Sequence, residues 1–380
     1  MGLEQVLRTG KAERVAAESA ESRVIPGDSW TNVASLGTER RRHSSFSDNE
    51  GRGYAVGGDD GDGNELTNVE RYDPDTDSWT NVASLGTARY RHSSFSDADG
   101  RGYAVAGQDS DGNELTNVER YDPDTDSWTN VASLGTARYR ISSFSDNEGR
   151  GYAVGGDDGD FARLASVERY DPDTDSWTNV ASLDTARQNH SSFSDNEGRG
   201  YAVGGMDGGF SDLASVERYD PDTDSWTNVA SLDTARQRHS SFSDNEGRGY
   251  AVGGEENSPL TGVERYDPDT DSWTNVASLD TARYRISSFS DAEGRGYAVG
   301  GEDSDNNELS SVERFNTVIA GPAVEVSVDE SAQYFIQSSE ASPEIRNLSK
   351  EITQTRRISA ENNDTIQAQT EESYQIYKIN

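Results

Sequence analysis

The side chains with the clearest capacity for chemistry in this 380-residue chain are arginines that recur in register. Arg40, Arg89, Arg138, Arg187, Arg236 and Arg283 follow one another at intervals of 49, 49, 49, 49 and 47 residues. Two positions after each stands a second basic residue, Arg42, Arg91, Arg140, Arg238 or Arg285, with Asn189 as the exception. A guanidinium is planar, permanently charged and rich in donors, so a ring of them suits a carboxylate or another anion. The residue between the two is variable: Tyr90, Tyr139, Gln188, Gln237 and Tyr284, with Arg41 in the first copy. Tyrosine there would add an apolar body with a hydroxyl tip. The candidate ligand-binding set is therefore the six invariant arginines with these five tyrosine and glutamine neighbours. A second reading competes with it. A glutamate recurs with the same period, at Glu70, Glu119, Glu168, Glu217, Glu264 and Glu313, and the arginines could be spent in pairing with these carboxylates.

Other candidate groups carry less chemistry. His43, His92, His190 and His239 share a slot that Ile141 and Ile286 fill in the remaining copies. A slot that accepts isoleucine reads as packing rather than metal ligation or proton transfer. Carboxylates two apart, as in Asp73-Pro-Asp75-Thr-Asp77, Asp60-Gly-Asp62-Gly-Asn64 and Asp109-Ser-Asp111-Gly-Asn113, are what a hard cation seeks. The closing bidentate glutamate and fixed glycine of a calcium loop are missing, and Asp and Asn are ordinary turn residues, so solvated turns are expected and no metal. The chain has no cysteine, which excludes disulfides, thiol nucleophiles and cysteine-built zinc sites. Every potential member of a catalytic set is repeated, so no catalytic residue is assigned and no cofactor is expected.

The elements that must position these groups are short strands. Between Thr87 and Leu134, four runs of four to eight residues rich in Tyr, Val, Phe, Thr and Trp are separated by clusters of Asp, Asn, Gly and Pro. No apolar pattern of 3.6 period is long enough for a helix. Four strands in a unit of about fifty residues is the content of one propeller blade. The copies resemble the Kelch repeat in a glycine doublet ending the second strand, then a tyrosine, then a tryptophan. The doublets are Gly57-Gly58, Gly155-Gly156, Gly204-Gly205, Gly253-Gly254 and Gly300-Gly301, with Ala106-Gly107 departing in the second copy. The tyrosines are at 72, 121, 170, 219 and 266, with Phe315 last, and the tryptophans are Trp30, Trp79, Trp128, Trp177, Trp226 and Trp273. The resemblance, over about residues 28–316, implies an all-β, six-bladed Kelch-type propeller, with the glycines set for unusual dihedrals or close approach and each Trp for packing between blades. The first copy is a lone outer strand, Ser29 to Val33, and the last unit lacks one. Placing the two together completes the sixth blade and closes the ring.

Comparing the copies locates function. The turns between strands one and two and between strands three and four hardly change. The loops between strands two and three, from Asp59 to Thr67 and its equivalents, do change, as does the junction before strand one. In an up-and-down blade these variable stretches share one face, the expected place for binding loops on a rigid scaffold. The function expected is a non-catalytic binding or scaffold module, with a protein or an anionic small ligand as partner on that face. The alternative is a carbohydrate-active enzyme of Kelch fold, such as a sialic-acid-type epimerase or mutarotase. Near-identical blades argue against it, because a substrate needs unlike groups around it.

Composition sets further bounds. Net charge is −36, of which residues 1–27 carry none and residues 317–380 carry −5, leaving −31 on the propeller. Every basic residue of the propeller is arginine; the lysines are Lys11, Lys350 and Lys378. Such a surface repels nucleic acid and anionic membranes, and the chain is expected to be a monomer. Residues 1–27 read as an extension, disordered or with a short helix. Residues 317–380 read as a tail with a strand or hairpin at its start and disorder after it. No signal peptide or membrane span is visible, and the expected location is cytoplasmic, with extracellular as the alternative. Acid loading without lysine points to a salt-adapted protein. The melting temperature is expected to rise steeply between about 0.1 and 2 M KCl as salt screens self-repulsion. A melting temperature flat over that range, followed by circular dichroism, would remove this reading.

Overall fold

The computed structural model describes residues 28–160 and 162–316 and, farther along, five strands between 323 and 378. Residues 28–316 form six four-stranded antiparallel sheets arranged as the blades of a propeller. In blade 1 the strands are Ser44–Ser47, Gly53–Val56, Val69–Asp73 and Ser78–Val82, from the axis outward. The inner strands of blades 2 to 6 are Ser93–Ser96, Ser142–Ser145, Ser191–Ser194, Ser240–Ser243 and Ser287–Ser290. Each inner strand lies beside those of its two neighbours, and the sixth lies beside the first.

Burial explains the order. The second strand, Gly-Tyr-Ala-Val, is buried at every position, because sheets pack against both of its faces. The outer strand, Ser-Trp-Thr-Asn-Val, exposes Thr and Asn and turns Trp inward. The core is not inside any blade but between blades: Phe46, Tyr54, Val56 and Val69 of blade 1 pack with Ala104, Tyr121 and Trp128 of blade 2. Within the blade the Phe46 and Tyr54 rings stack at 4.6 Å; across blades Tyr54 meets Tyr121 at 5.3 Å. Offset and tilted aromatic pairs of this kind add to their area of burial. The Trp79 indole N–H donates to the carbonyl of Ala34, past the outer strand of blade 6, at 2.9 Å. The same bond recurs at every Trp, and Trp30 makes it with Ala277 of blade 5. Tryptophan is thus an inter-blade element.

The glycines have two separate causes. At Gly53 a Cβ would stand 2.1 Å from the Phe289 ring of the preceding blade, so the position is kept open for an aromatic neighbour. At Gly57 the backbone is left-handed, φ +55°, and a Cβ would stand 2.7 Å from the Arg89 carbonyl. Ala106 occupies the equivalent site at φ +59°.

The ring closes as the repeat register requires. Ser29–Val33 pairs antiparallel with Val312–Asn316, with Trp30 opposite Phe315 and Val33 opposite Val312. Beyond the propeller, Ala323–Val328 pairs with Tyr334–Gln337 and Arg356–Ser359, and Thr365–Gln369 pairs with Tyr374–Lys378. These strands fall outside the propeller unit, which spans residues 28–316. The helix or disorder considered for residues 1–27 lies outside the described residues. Within the stretch read from composition as disordered, the last three of the strands stand, and the rest of that stretch lies outside the described residues.

Removing residues 1–33 takes away the outer strand of blade 6 and Trp30. A truncation of that kind is expected to lower the melting temperature sharply, since loss of a buried tryptophan alone costs about 3–5 kcal/mol. Equal melting of the truncated and full chains would refute closure by this strand.

Candidate ligand-binding face

The loops between strands two and three and the junctions before strand one meet on one face. In blade 1, Arg41 pairs with Asp59 through two backbone hydrogen bonds of 3.0 Å, and Asp59 pairs in turn with Glu65. Equivalent bridges join Tyr90 to Gln108, Tyr139 to Asp157, Gln188 to Met206, Gln237 to Glu255 and Tyr284 to Glu302. Each variable loop therefore rises from a pinned base.

The invariant arginines are not on this face. Arg40, Arg89, Arg138, Arg187 and Arg283 have no exposed surface and Arg236 has 1%. This corrects their place in the candidate ligand-binding set. Arg40 donates through Nη1 to the carbonyls of Gly57 and Asn68 at 3.1 and 3.2 Å, and through Nη2 to Glu70 Oε1 at 2.6 Å and to the Asn68 side chain. Glu70 also accepts from the backbone N–H of Gly37 and Thr38, at 2.6 and 3.1 Å, in the segment that arrives from blade 6. All six blades repeat the pair, to Glu119, Glu168, Glu217, Glu264 and Glu313. The competing reading of the arginines, as partners of the glutamates, is the one the geometry matches. Burial lowers the arginine pKa values and the glutamates oppose that. Truncating one member would strand a buried charge, at about 3–5 kcal/mol.

Among the neighbours, Tyr139, Gln188 and Tyr284 are buried and Tyr90 and Gln237 are half-buried. The side chains that encircle the axis are those one residue further on. Arg42, Arg91, Arg140, Asn189, Arg238 and Arg285 all have left-handed backbone, with φ between +51° and +55°. Each donates its N–H to the carbonyl of its counterpart in the preceding blade, and Arg42 closes the circle by donating to Arg285, with distances of 2.8–3.0 Å. Six non-glycine residues at positive φ are costly one by one, and the closed circle of hydrogen bonds holds them there. Sequence reasoning marked this second basic position but ranked it below the invariant one. The usable signal was the reverse: the position that varies, with Asn189 among arginines, is the one that is only half-buried.

The turn on the opposite face is structural. Asp73 Oδ1 accepts from the N–H groups of Asp75 and Thr76, and Asp77 Oδ1 from the Tyr72 hydroxyl and the Ala34 N–H, both at 2.8 Å. These carboxylates hold the turn and the blade junction.

The histidines sit in the core beneath the basic circle. His43, His92, His190 and His239 are buried, and no ring nitrogen has a well-aligned partner among the described residues. Burial, then the nearby Arg40 and His92, hold His43 well below the usual histidine range. Burial and Arg89 do the same to His92, where the poorly aligned Val56 carbonyl acts weakly in the other direction. Burial and Arg187 push His190 down to about 3, and burial, Arg236 and His190 lower His239. A histidine that must stay neutral contributes fully above its unfolded pKa of about 6.5, and that contribution is lost as pH falls below it. The loss approaches about 1.4 kcal/mol per pH unit for each such histidine. A variant with all four replaced by Ile, the residue blades 3 and 6 already use, is expected to lose much less stability than the wild type between pH 7 and 5. Equal losses in denaturant titrations would show that the histidines are not the acid-sensitive groups.

Comparison with known proteins follows the same outline. Residues 99–301 match the KLHDC2/KLHL20/DRC7 Kelch-repeats domain, and residues 54–86 match the Kelch motif. A solved structure titled "Structure of YjhT" superposes with a TM-score of 0.64, covering 80% of this chain and 99% of that one. Its sequence identity is 15%, a likeness of fold alone. No curated protein matches the chain. No helix among the described residues is long and apolar enough to cross a membrane. With more than half its length matched, the chain belongs to the Kelch-repeat family.

Proposed function

We propose that this propeller is a binding or scaffold module that engages its partner, a protein or an anionic ligand, on the face of the two–three loops. One observation carries the reading: variation among otherwise near-identical blades is concentrated in segments that meet on that face, around a circle of basic side chains. The opposite face spends its repeated carboxylates on its own turns, which is reason for it not to vary. The histidines, the groups best suited to proton transfer, are sealed in the core, which favours binding over catalysis. The remaining acidic surface would repel nucleic acid and anionic membranes and steer an anion toward the arginines. A salt-adapted, cytoplasmic monomer accords with the acid-rich, lysine-poor composition.

Tyr90→Ala and Gln237→Ala change half-buried side chains of the face. Asp173→Ala changes an exposed position of the opposite face, unlike Asp175, whose carboxylate holds Tyr170 and Ala132. Partner capture is expected to fall at least tenfold for the first two, at unchanged melting temperature, and to persist for the third. Equal capture by all three variants would overturn the reading.

A further inference from the structure

The basic circle is not electrically uniform. Arg238 pairs with Glu255 at 2.6 Å, Arg285 with Glu302 at 2.6 Å and Arg42 with Asp59 at 3.2 Å. In each case the carboxylate is the first residue of that blade's variable loop. Blade 2 has Gln108 there instead, and Arg91 Nη1 donates to its neutral Oε1 at 2.9 Å. Blade 3 has Asp157, but its carboxylate turns into its own loop, accepting from the Gly159 N–H at 3.0 Å. Arg140 reaches instead to the neutral Gln188 Oε1 at 3.2 Å. Arg91 and Arg140 thus form no ion pair among the described residues.

Their surroundings favour a guest with charge at one end. The Tyr139 ring lies between the two guanidiniums, 5.8 Å from Arg91 and 4.9 Å from Arg140, and Tyr90 flanks Arg91 at 5.1 Å. Gln188 is fully buried, and with Oε1 engaged by Arg140 its Nε2 has no partner among the described residues. A buried amide donor left unpaired is costly and calls for an acceptor. Past Asn189, blade 4 offers Met206 in the loop slot, again without charge.

We propose that Arg91, Arg140 and the free amide of Gln188 form the seat for a single carboxylate of the ligand bound on this face, with Tyr90 and Tyr139 against its organic body. The inference rests on the binding-face reading and gives it a chemical class. Two planar guanidiniums match the two oxygens of a carboxylate. A monoanion suits the site better than a phosphate dianion, because Glu114 and Asp157 stand near Tyr139 and would repel the second charge. Burial, with Arg140 and Arg42 adding to it, lowers the Arg91 pKa to about 10, and a bound anion would relieve that stress.

The decisive variant is Gln108→Glu. It gives Arg91 the carboxylate that Arg238 and Arg285 already have and so neutralises the seat, in exchange for the Gln108 Nε2 donation to Glu114 at 3.2 Å. Arg140→Gln is the second. The probes are acetate, inorganic phosphate and an acetylated tetraglutamate peptide, titrated by calorimetry at constant ionic strength. The expected result is one acetate or peptide site on the wild type, at least tenfold weaker in both variants at unchanged melting temperature, with phosphate no tighter than acetate. A peptide binding more than tenfold tighter than acetate identifies an acidic side chain as the source of the carboxylate; equal binding identifies a free small acid. No saturable binding, binding indifferent to both variants, or preference for phosphate overturns the seat. If Gln108→Glu leaves partner capture intact while Tyr90→Ala abolishes it, the seat falls and the face remains.

Discussion

The buried pairing of one arginine and one glutamate per blade is the interaction on which the rest of the propeller depends. Glu70 holds the N–H groups of Gly37 and Thr38, which belong to the segment entering from the previous blade, while Arg40 holds the carbonyls that end its own second strand and begin its third. The pair ties a blade-to-blade connection to the middle of a sheet. Its charges are out of water, so its value lies less in raw Coulomb energy than in leaving no alternative arrangement once formed. With the same carboxylate and guanidinium recurring six times, each blade is fixed to the next at the same angle, and the ring closes on the N-terminal strand.

Aromatic packing completes what the ion pairs orient. The core is a series of contacts between sheets rather than a centre, with Phe46, Tyr54, Tyr121 and Trp128 typical of each seam. A single blade would leave both faces of its second strand bare. No blade is stable alone in this arrangement, which is the general logic of repeat folds. Seams this uniform leave the loops free to differ, with loop ends such as Ala165 and Ala214 packed against the seams.

The basic circle shows how function can be written into a symmetric frame. Backbone geometry makes the six axial residues equivalent through one hydrogen bond each, and symmetry is then broken by Asn189, by the varied residue before each axial one, and by the side chains at the loop base: Asp59, Gln108, Asp157, Met206, Glu255 and Glu302. An amide there also changes local contacts, since Gln108 Nε2 donates to Glu114 and to the Gly112 carbonyl. It changes whether an arginine beside the axis is neutralised. Two axial arginines, Arg91 and Arg140, are thereby left facing neutral amides in one sector of that face.

Much of this was legible in the chain itself. The period of 49 residues, the strand lengths, the aromatic positions and the unmatched strand Ser29–Val33 determine a closed ring of six sheets, because each follows from local pattern and counting. The division between constant and variable segments also places the variable face. Tertiary structure alone decided which arginine meets solvent. Arg40 and Arg42 are two residues apart in a junction with no strand periodicity, so sequence spacing does not say which turns inward. The answer depends on carbonyls at Gly57 and Asn68 and a carboxylate at Glu70, from other strands, which capture the first, and on a left-handed turn held from the neighbouring blade, which carries the second to the axis. The state of Arg91 and Arg140 was hidden for the same reason: neutralisation is a matter of distance between loops, and distance between loops is set only when the ring has closed.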